Sequence, residues 1–192
     1  MRAMCFVLTA SVLAAATASA AHAGTALPFC GGEPGPLPET CTLEVANAGF
    51  EGESLMPWLV AGPHEMPTIS RTHGNGELLL RHPRGAALQF VPLPAHAYQS
   101  SVSTEYLPSL TARTNAGVAM LRVSAAVIGK EFQPVTLFSR DYPVSTTPTQ
   151  LRGAFIGAPL VLPPQLLFKL ERSDENGDVS VFVDDVRIDQ RR

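Results

Sequence analysis

The sequence predicts an all-β protein, a sandwich or a barrel, behind a leader that is removed. Two observations carry this. Apolar residues recur with period two in several runs, the spacing of strands half-buried on one face. The 17 prolines and 15 glycines fall mainly between those runs and break every later window long enough for a stable helix. Short strands separated by turn signals are the pattern of a sandwich or barrel.

The first residues read as an export signal. Arg2 gives a short positive region, and Phe6 to Ala18 is an apolar run interrupted only by Thr and Ser. Ala21-His22-Ala23 then supplies a small-residue cleavage site before Gly24. Residues 1–23 are expected to be removed, leaving a secreted or periplasmic chain without a membrane span. Cys5 leaves with the signal. Cys30 and Cys41 remain, in a compartment that joins thiols, and are expected to form a disulfide. The stretch between them, G-G-E-P-G-P-L-P-E-T, cannot be a helix. Closing so short a loop contributes roughly 3 kcal/mol through chain entropy. Residues 24–41 therefore read as a stapled leader, and 42–192 as the β-sandwich domain.

Within that domain the strands follow in order. Thr42 to Ala46, Glu77 to Arg81 and Ala87 to Val91 are short candidates. A-Y-Q-S-S-V-S-T-E-Y at 97–106 puts Tyr98, Val102 and Tyr106 on one face. G-V-A-M-L-R-V-S-A-A-V-I-G at 117–129 turns Leu121, Val123 and Val127 inward. Val135 to Ser139 and Leu151 to Ile156 are further candidates. In L-L-F-K-L-E-R, Leu166, Phe168 and Leu170 share a face.

Asn176-Gly177, a favoured type I′ pair, suggests that the last two strands form a hairpin. Asp174, Asn176 and Asp178 imitate a calcium loop, but Val179 stands where the sharp turn needs Gly, and Asp185 where a bidentate Glu is usual. In the last strand Val179, Val181 and Val183 have one parity and Val186 and Ile188 the other. Such a slip at Asp184-Asp185 marks a β-bulge, unless both faces are covered there. Two adjacent acids at that position need a partner, an amide or a cation.

The function classes narrow by exclusion. The chain carries 14 basic against 17 acidic residues, net −3, without a basic patch, which excludes nucleic acid and anionic membrane as expected partners. His64, His73 and His82 recur every nine residues beside Pro or Gly, a spacing of no metal motif. There is no G-x-S-x-G, H-E-x-x-H or phosphate-cradling glycine loop, so no catalytic machinery is expected.

N-A-G-F-E at 47–51 with P-W at 57–58, A-L-Q-F-V-P-L-P-A-H-A-Y-Q-S-S-V, and V-S-V-F-V-D-D-V-R-I together resemble the CenC-like (family 4/9) carbohydrate-binding modules. These are jelly-roll β-sandwiches of the galactose-binding-domain-like superfamily. The likeness runs in order from Leu43 to Asp189. It implies an exported, non-catalytic carbohydrate-binding protein whose first and last strands lie together. It also implies a structural calcium ion near that junction, with Glu51 and Asp185 as side-chain ligands and Asp184 a lesser one; the alternative is that these acids cap backbone amides or pair with an Arg. Phe50 and Trp58 become core residues. The aromatic cleft of many family members is thin here, with one Trp and three Tyr. Tyr142, beside Arg140 and Asp141, is the freest aromatic, and Tyr142 and Arg140 are the candidate ligand-binding pair. A structural or adhesive envelope protein, using the same sandwich for protein contacts, is the alternative function.

Overall fold

The computed structural model describes residues 27–30, 39–94, 104–128, 133–157 and 165–191. Two antiparallel sheets face each other. The seven-stranded sheet contains β1 (Thr40–Thr42), β3 (Thr68–Ser70), β4 (Glu77–Leu80) and β6 (Glu105–Thr114). Its other strands are β9 (Thr149–Arg152), β10 (Phe155–Ile156) and β12 (Val181–Arg191). The five-stranded sheet runs β2 (Leu59–Ala61), β5 (Ala86–Pro92), β11 (Gln165–Arg172), β7 (Ala119–Ile128), β8 (Pro134–Val144). The predicted β-sandwich is the observed one.

Alternation builds the core between the sheets. Leu166, Phe168 and Leu170 of β11 are fully buried, as are Leu121 of β7 and Val181 and Val183 of β12. Each such side chain contributes about 1.5–3 kcal/mol when taken from water. β6 alternates throughout, with Tyr106, Pro108, Leu110, Ala112 and Thr114 turned inward. It was hidden in the sequence by Pro108. In an extended strand the N–H and C=O of one residue point to the same side, and the Pro108 carbonyl accepts from Gly153 N at 2.9 Å. The missing N–H therefore faces the gap between β9 and β10, where a ladder bond is already interrupted.

The ends of the domain meet. β1 pairs with the last residues of β12, Thr42 opposite Asp189. Beyond β1 the chain continues along β12: Leu43 N donates to Ile188 O, and Val186 N to Ala48 O at 3.0 Å. Cys30 and Cys41 are joined, with Cα atoms 5.1 Å apart. Phe29 bridges Thr42 in parallel, adding the end of the leader to the same sheet. The bulge is where the parity slip put it: the register of β12 on β6 shifts between Asp184 and Arg187, and Asp185 takes the left-handed conformation, φ 51°.

The expected Asn176-Gly177 hairpin is corrected. β11 pairs with β5 and β7, whereas β12 pairs with β1, β4 and β6, so the connection crosses from one sheet to the other. A buried clasp holds the crossover. The Arg172 side chain is fully buried, donates to Asp174 Oδ1 at 2.8 Å and to the Arg81 carbonyl. Asp174 also accepts from Met120 N and Asn176 N. The local Asn-Gly preference could not reveal that β11 already has neighbours on both sides. Other strands differ in extent: Leu43 to Ala46 is not strand, and Leu151 to Ile156 divides into β9 and β10. Tyr98 and Val102, the signal and most of the leader lie outside the described residues.

Candidate functional site

The stretch from Asn47 to Trp58 is a structural seal. Asn47 and Phe50 adopt left-handed backbone, φ 49° and 52°, unusual for a bulky residue. The Asn47 side chain laces the loop by donating to Ser54 O at 2.9 Å and accepting from Gly52 N at 3.2 Å. The Phe50 ring is fully buried, 5.5 Å from the Trp58 ring, which meets Phe168 at 6.5 Å. The indole N–H of Trp58 donates to Ala46 O and Asn47 O. Burial of both rings outweighs a backbone cost of about 1–3 kcal/mol. Both are core residues, as the resemblance implied.

The acids of this junction test the calcium expectation. Glu51 and Asp184 converge on Gly49: a methyl there would lie 3.9 Å from Glu51 Cγ and 3.7 Å from Asp184 Oδ1. Asp185 is exposed and borders a depression that Gly49 also lines, while Asp184 is the aspartate that nears Glu51 about that glycine. Their oxygens are engaged by protein donors. Glu51 Oε1 accepts from Gly76 N at 3.0 Å, and Asp184 accepts from Asn75 Nδ2 and Asp185 N, each at 2.7 Å. Arg71 Nη2 brings a positive charge to the carbonyls of Glu51 and Gly52, 3.3 and 2.6 Å away. Burial, opposed by those hydrogen bonds, holds the Asp184 carboxyl above the usual carboxylate range. Calcium takes six to eight oxygens. Among the described residues no three His, Cys, Asp or Glu side chains are grouped to hold a metal. As arranged, the junction does not fit a calcium cage; Glu51 caps an amide instead.

A groove lies on the outer face of the seven-stranded sheet. Its volume is about 530 Å³, and Leu107, Ser109, Gln150, Arg152, Arg187 and Asp189 are among its lining residues. Register explains the set. Ser109 of β6 stands opposite Arg187 of β12 on one side and Arg152 of β9 on the other. Leu107 stands opposite Asp189, and Thr111 opposite Gln150. Arg187 Nε donates to Asp189 Oδ1 at 2.7 Å, and Thr42 donates to the same oxygen. Arg152 donates through Nε and Nη2 to Gln150 Oε1, at 3.2 and 2.6 Å. A second depression, about 440 Å³, includes Phe29, Thr42 and Asp185 and shares Ser109, Gln150 and Arg187 with the groove. Phe29 is 65% exposed at its edge. The surface is thus a trough of fixed donors and acceptors over an apolar strip, borne on strands.

The structure links one of the predicted ligand pair to this groove, and from beneath. Tyr142 is not free: it is 9% exposed, packs in the core and donates its hydroxyl to the Arg152 carbonyl at 2.7 Å. Burial raises its pKa first, the nearby Arg140 acting against this. Arg140 is exposed, with its guanidinium carbon 5.0 Å from the Tyr142 ring centroid. Tyr142 therefore positions Arg152, whereas Arg140, on β8 of the other sheet, does not line the groove. Asp141 is spent on Arg122 and Ser173. His64 and His82 meet at 5.8 Å beside Glu65.

Sequence reading missed Ser109, Gln150, Arg152, Arg187 and Asp189. A signal existed for two of them: in V-R-I-D-Q the parity that buries Val186 and Ile188 turns Arg187 and Asp189 outward. Ser109 had none, because Pro108 concealed its strand.

No family model matches the chain, and no curated protein matches it. Solved structures share its fold. A CBM4 module superposes with TM-score 0.57 at 12% identity, covering 77% of this chain and 100% of that one. TmCBM61, a structure in complex with β-1,4-galactotriose, gives 0.56 at 14%, covering 76% and 97%. The Stig cyclase Fisc from Fischerella sp. TAU gives 0.55 at 13%, covering 79% and 98%. The fold is that of carbohydrate-binding modules, and the cyclase carries it too. At these identities the likeness establishes the sandwich and does not show the narrower CenC-like family.

Proposed function

We propose that the chain is an exported, non-catalytic module that holds a glycan in the groove on the outer face of the seven-stranded sheet. The observation that carries this is the row Arg187–Ser109–Arg152 with Gln150 and Asp189 beside it. It places fork-shaped donors and carboxylate and amide acceptors over Leu107, the mixture that hydroxyl-rich sugars need. Glycoside hydrolysis ordinarily uses two carboxylates about 5–9.5 Å apart. Among the described residues the groove offers one, Asp189, engaged by Arg187 and Thr42. The disulfide supports export. Calorimetric titration against neutral and acidic soluble glycans, with sedimentation on insoluble polysaccharides, tests the proposal. Ser109→Trp, filling the groove floor, should abolish the binding that the wild type shows. Folded wild type that binds nothing on the panel would overturn it. The fit of the junction predicts superimposable melting curves with calcium and with chelator; a rise reversed by chelator would restore the metal.

A second reading, a module for protein contacts, has one observation in its favour. On the five-stranded sheet Leu59 and Phe90 are 54% and 43% exposed, on the outward parity shared by Leu88 and Leu167. Loss of partner capture from an envelope extract by Phe90→Ser, with glycan binding intact, would support it.

A further inference from the structure

Charge in the groove points to the kind of sugar. We infer that the bound glycan carries an acid group, a carboxylate or a sulfate ester, seated between Arg152 and Arg187 over Ser109; this rests on the glycan-binding reading above. Lys169 and Arg81, Arg84, Arg113, Arg122, Arg172, Arg187 and Arg191 each have a carboxylate partner. Among the described residues Arg71, Arg140 and Arg152 do not, and Arg71 is given to two carbonyls. Of the other two, Arg140 lies over the Tyr142 ring and does not line the groove, whereas Arg152 does. With 17 acidic residues against 14 basic in the chain, an arginine left without a carboxylate is not short of acids to pair with.

The geometry of the two guanidiniums fits one anion. Gln150 Oε1 takes both Nε and Nη2 of Arg152, which orients the group. Its Nη1 has no acceptor among the described residues. Arg187 is held likewise, Nε on Asp189 and Nη2 on Thr42, with Nη1 open. Both stand opposite Ser109, on the strands that flank β6. Two strand spacings separate them, about 10 Å between Cα atoms. Arg152 is tied along β9 to Gln150 and Arg187 toward Thr42 of β1, so it is the open Nη1 of each that would reach a carboxylate or sulfate over Ser109. The Ser109 hydroxyl, which has no hydrogen bond to the described residues, lies between them as a third donor. Two guanidiniums against one carboxylate leave the groove with one unneutralised positive charge. A neutral sugar leaves it so; a singly charged acid group cancels it through charge-assisted hydrogen bonds.

The test uses the full exported chain and four soluble probes: a polyuronate, its methyl ester, a sulfated galactan and the desulfated galactan. Affinity for at least one acidic probe should exceed that for its neutral counterpart by about tenfold at low salt, the worth of one charged hydrogen bond, and the margin should shrink in 0.5 M salt. The uronate and sulfate arms identify which acid is preferred. Arg152→Gln should cost the acidic probes about tenfold more affinity than their neutral counterparts, so that the margin disappears. Arg84→Gln, whose side chain meets only Glu175, should leave the margin intact. Equal affinity for acidic and neutral probes, or equal loss of both in Arg152→Gln, would overturn the acid-group inference and leave glycan binding standing. Equal loss of the margin in Arg84→Gln would also overturn it, as diffuse charge attraction. A folded protein that binds no probe would overturn both readings.

Discussion

The two outer faces of the sandwich differ at one cation: Arg113, Arg187 and Arg191 of the seven-stranded sheet are paired with acids, as Arg122 and Lys169 of the other are, but Arg152 is not, among the described residues. On the outer face of the five-stranded sheet Arg122 holds Asp141 through both Nε and Nη2, and Lys169 holds Glu171 at 2.8 Å; Arg140 of β8, opposite the buried Val123, has no acid among the described residues. Apolar Leu59 and Phe90 are also exposed on this face. On the seven-stranded sheet Arg152 has only an amide, Asp184 is an acid partly withdrawn from water, and a groove lies between the walls. The contrast teaches where to look for function in a fold shared by binders and a cyclase. Both faces alternate in the same way and rest on one core, so pattern and packing do not separate them. The balance of fixed charge does, because a surface that satisfies itself has little to offer a polar ligand.

The largest effect that should separate the faces comes from the staple. Cys30→Ser with Cys41→Ser removes loop-closure entropy worth about 2–4 kcal/mol, and the melting temperature should fall by several degrees. It also frees Phe29 and the bridge to Thr42, which border only the groove face. Glycan affinity should therefore fall at a temperature where the variant is still folded, while dye binding at the Phe90 face stays unchanged. A double variant with wild-type affinity would show that the leader has no part in the groove. Next is Gly153→Ala. Its Cβ would come within 2.7 Å of Phe138 Cζ and 3.2 Å of Pro108 Cγ and the Tyr142 hydroxyl. Relieving that crowding should cost about 1–3 kcal/mol and displace Arg152, the adjoining residue. Thermal melting reads the first effect and glycan titration the second. Ser124→Ala, outward on the other sheet, should do neither.

Most of the fold was legible for a simple reason. Strands buried on one face must alternate, so Leu121, Val123, Leu166, Phe168 and Leu170 announced themselves, and the bulge showed as a change of parity at Asp184. The hairpin was misread because Asn-Gly reports a local turn preference, whereas the sheet a strand joins depends on distant neighbours. The groove was largely illegible. Ser109, Arg152 and Arg187 lie at least 35 residues apart along the chain, and only register across β9, β6 and β12 makes them one site. Tyr142 was taken for a surface aromatic because S-R-D-Y-P-V is polar around it. Its parity opposite Leu121 puts it inside.

Two smaller predictions compare the faces by the sign of a pH effect. On the closed face, hydrogen bonds from Arg122 and then Ser173 hold the Asp141 carboxyl below the usual range. An acid whose folded pKa is depressed contributes stability above its unfolded value, lost as pH falls through the folded one. Asp141→Asn should thus lower the melting temperature at pH 7, and the difference should disappear in acid. The pair is about 40% exposed, so the effect should stay within about 0–1 kcal/mol.

Asp184, on the groove face, should show the reverse. Burial raises its pKa above 3.8, so the folded state holds this proton more tightly than the unfolded chain does. Its ionised form therefore destabilises the fold at pH values above the raised pKa, and the penalty fades as pH falls toward 3.8. Asp184→Asn keeps an oxygen for the Asp185 amide, offers an NH2 to Asn75, whose side-chain amide turns over to accept it, and removes the charge. It should raise the melting temperature at pH 7 by about 1–2 °C, with the gain gone near pH 3.5. Paired melting curves of wild type, Asp141→Asn and Asp184→Asn over pH 3.5 to 7.5 decide the matter. Two variants moving in the same direction with pH would mean that the faces do not differ in how they hold their acids, and the contrast drawn between them would fail.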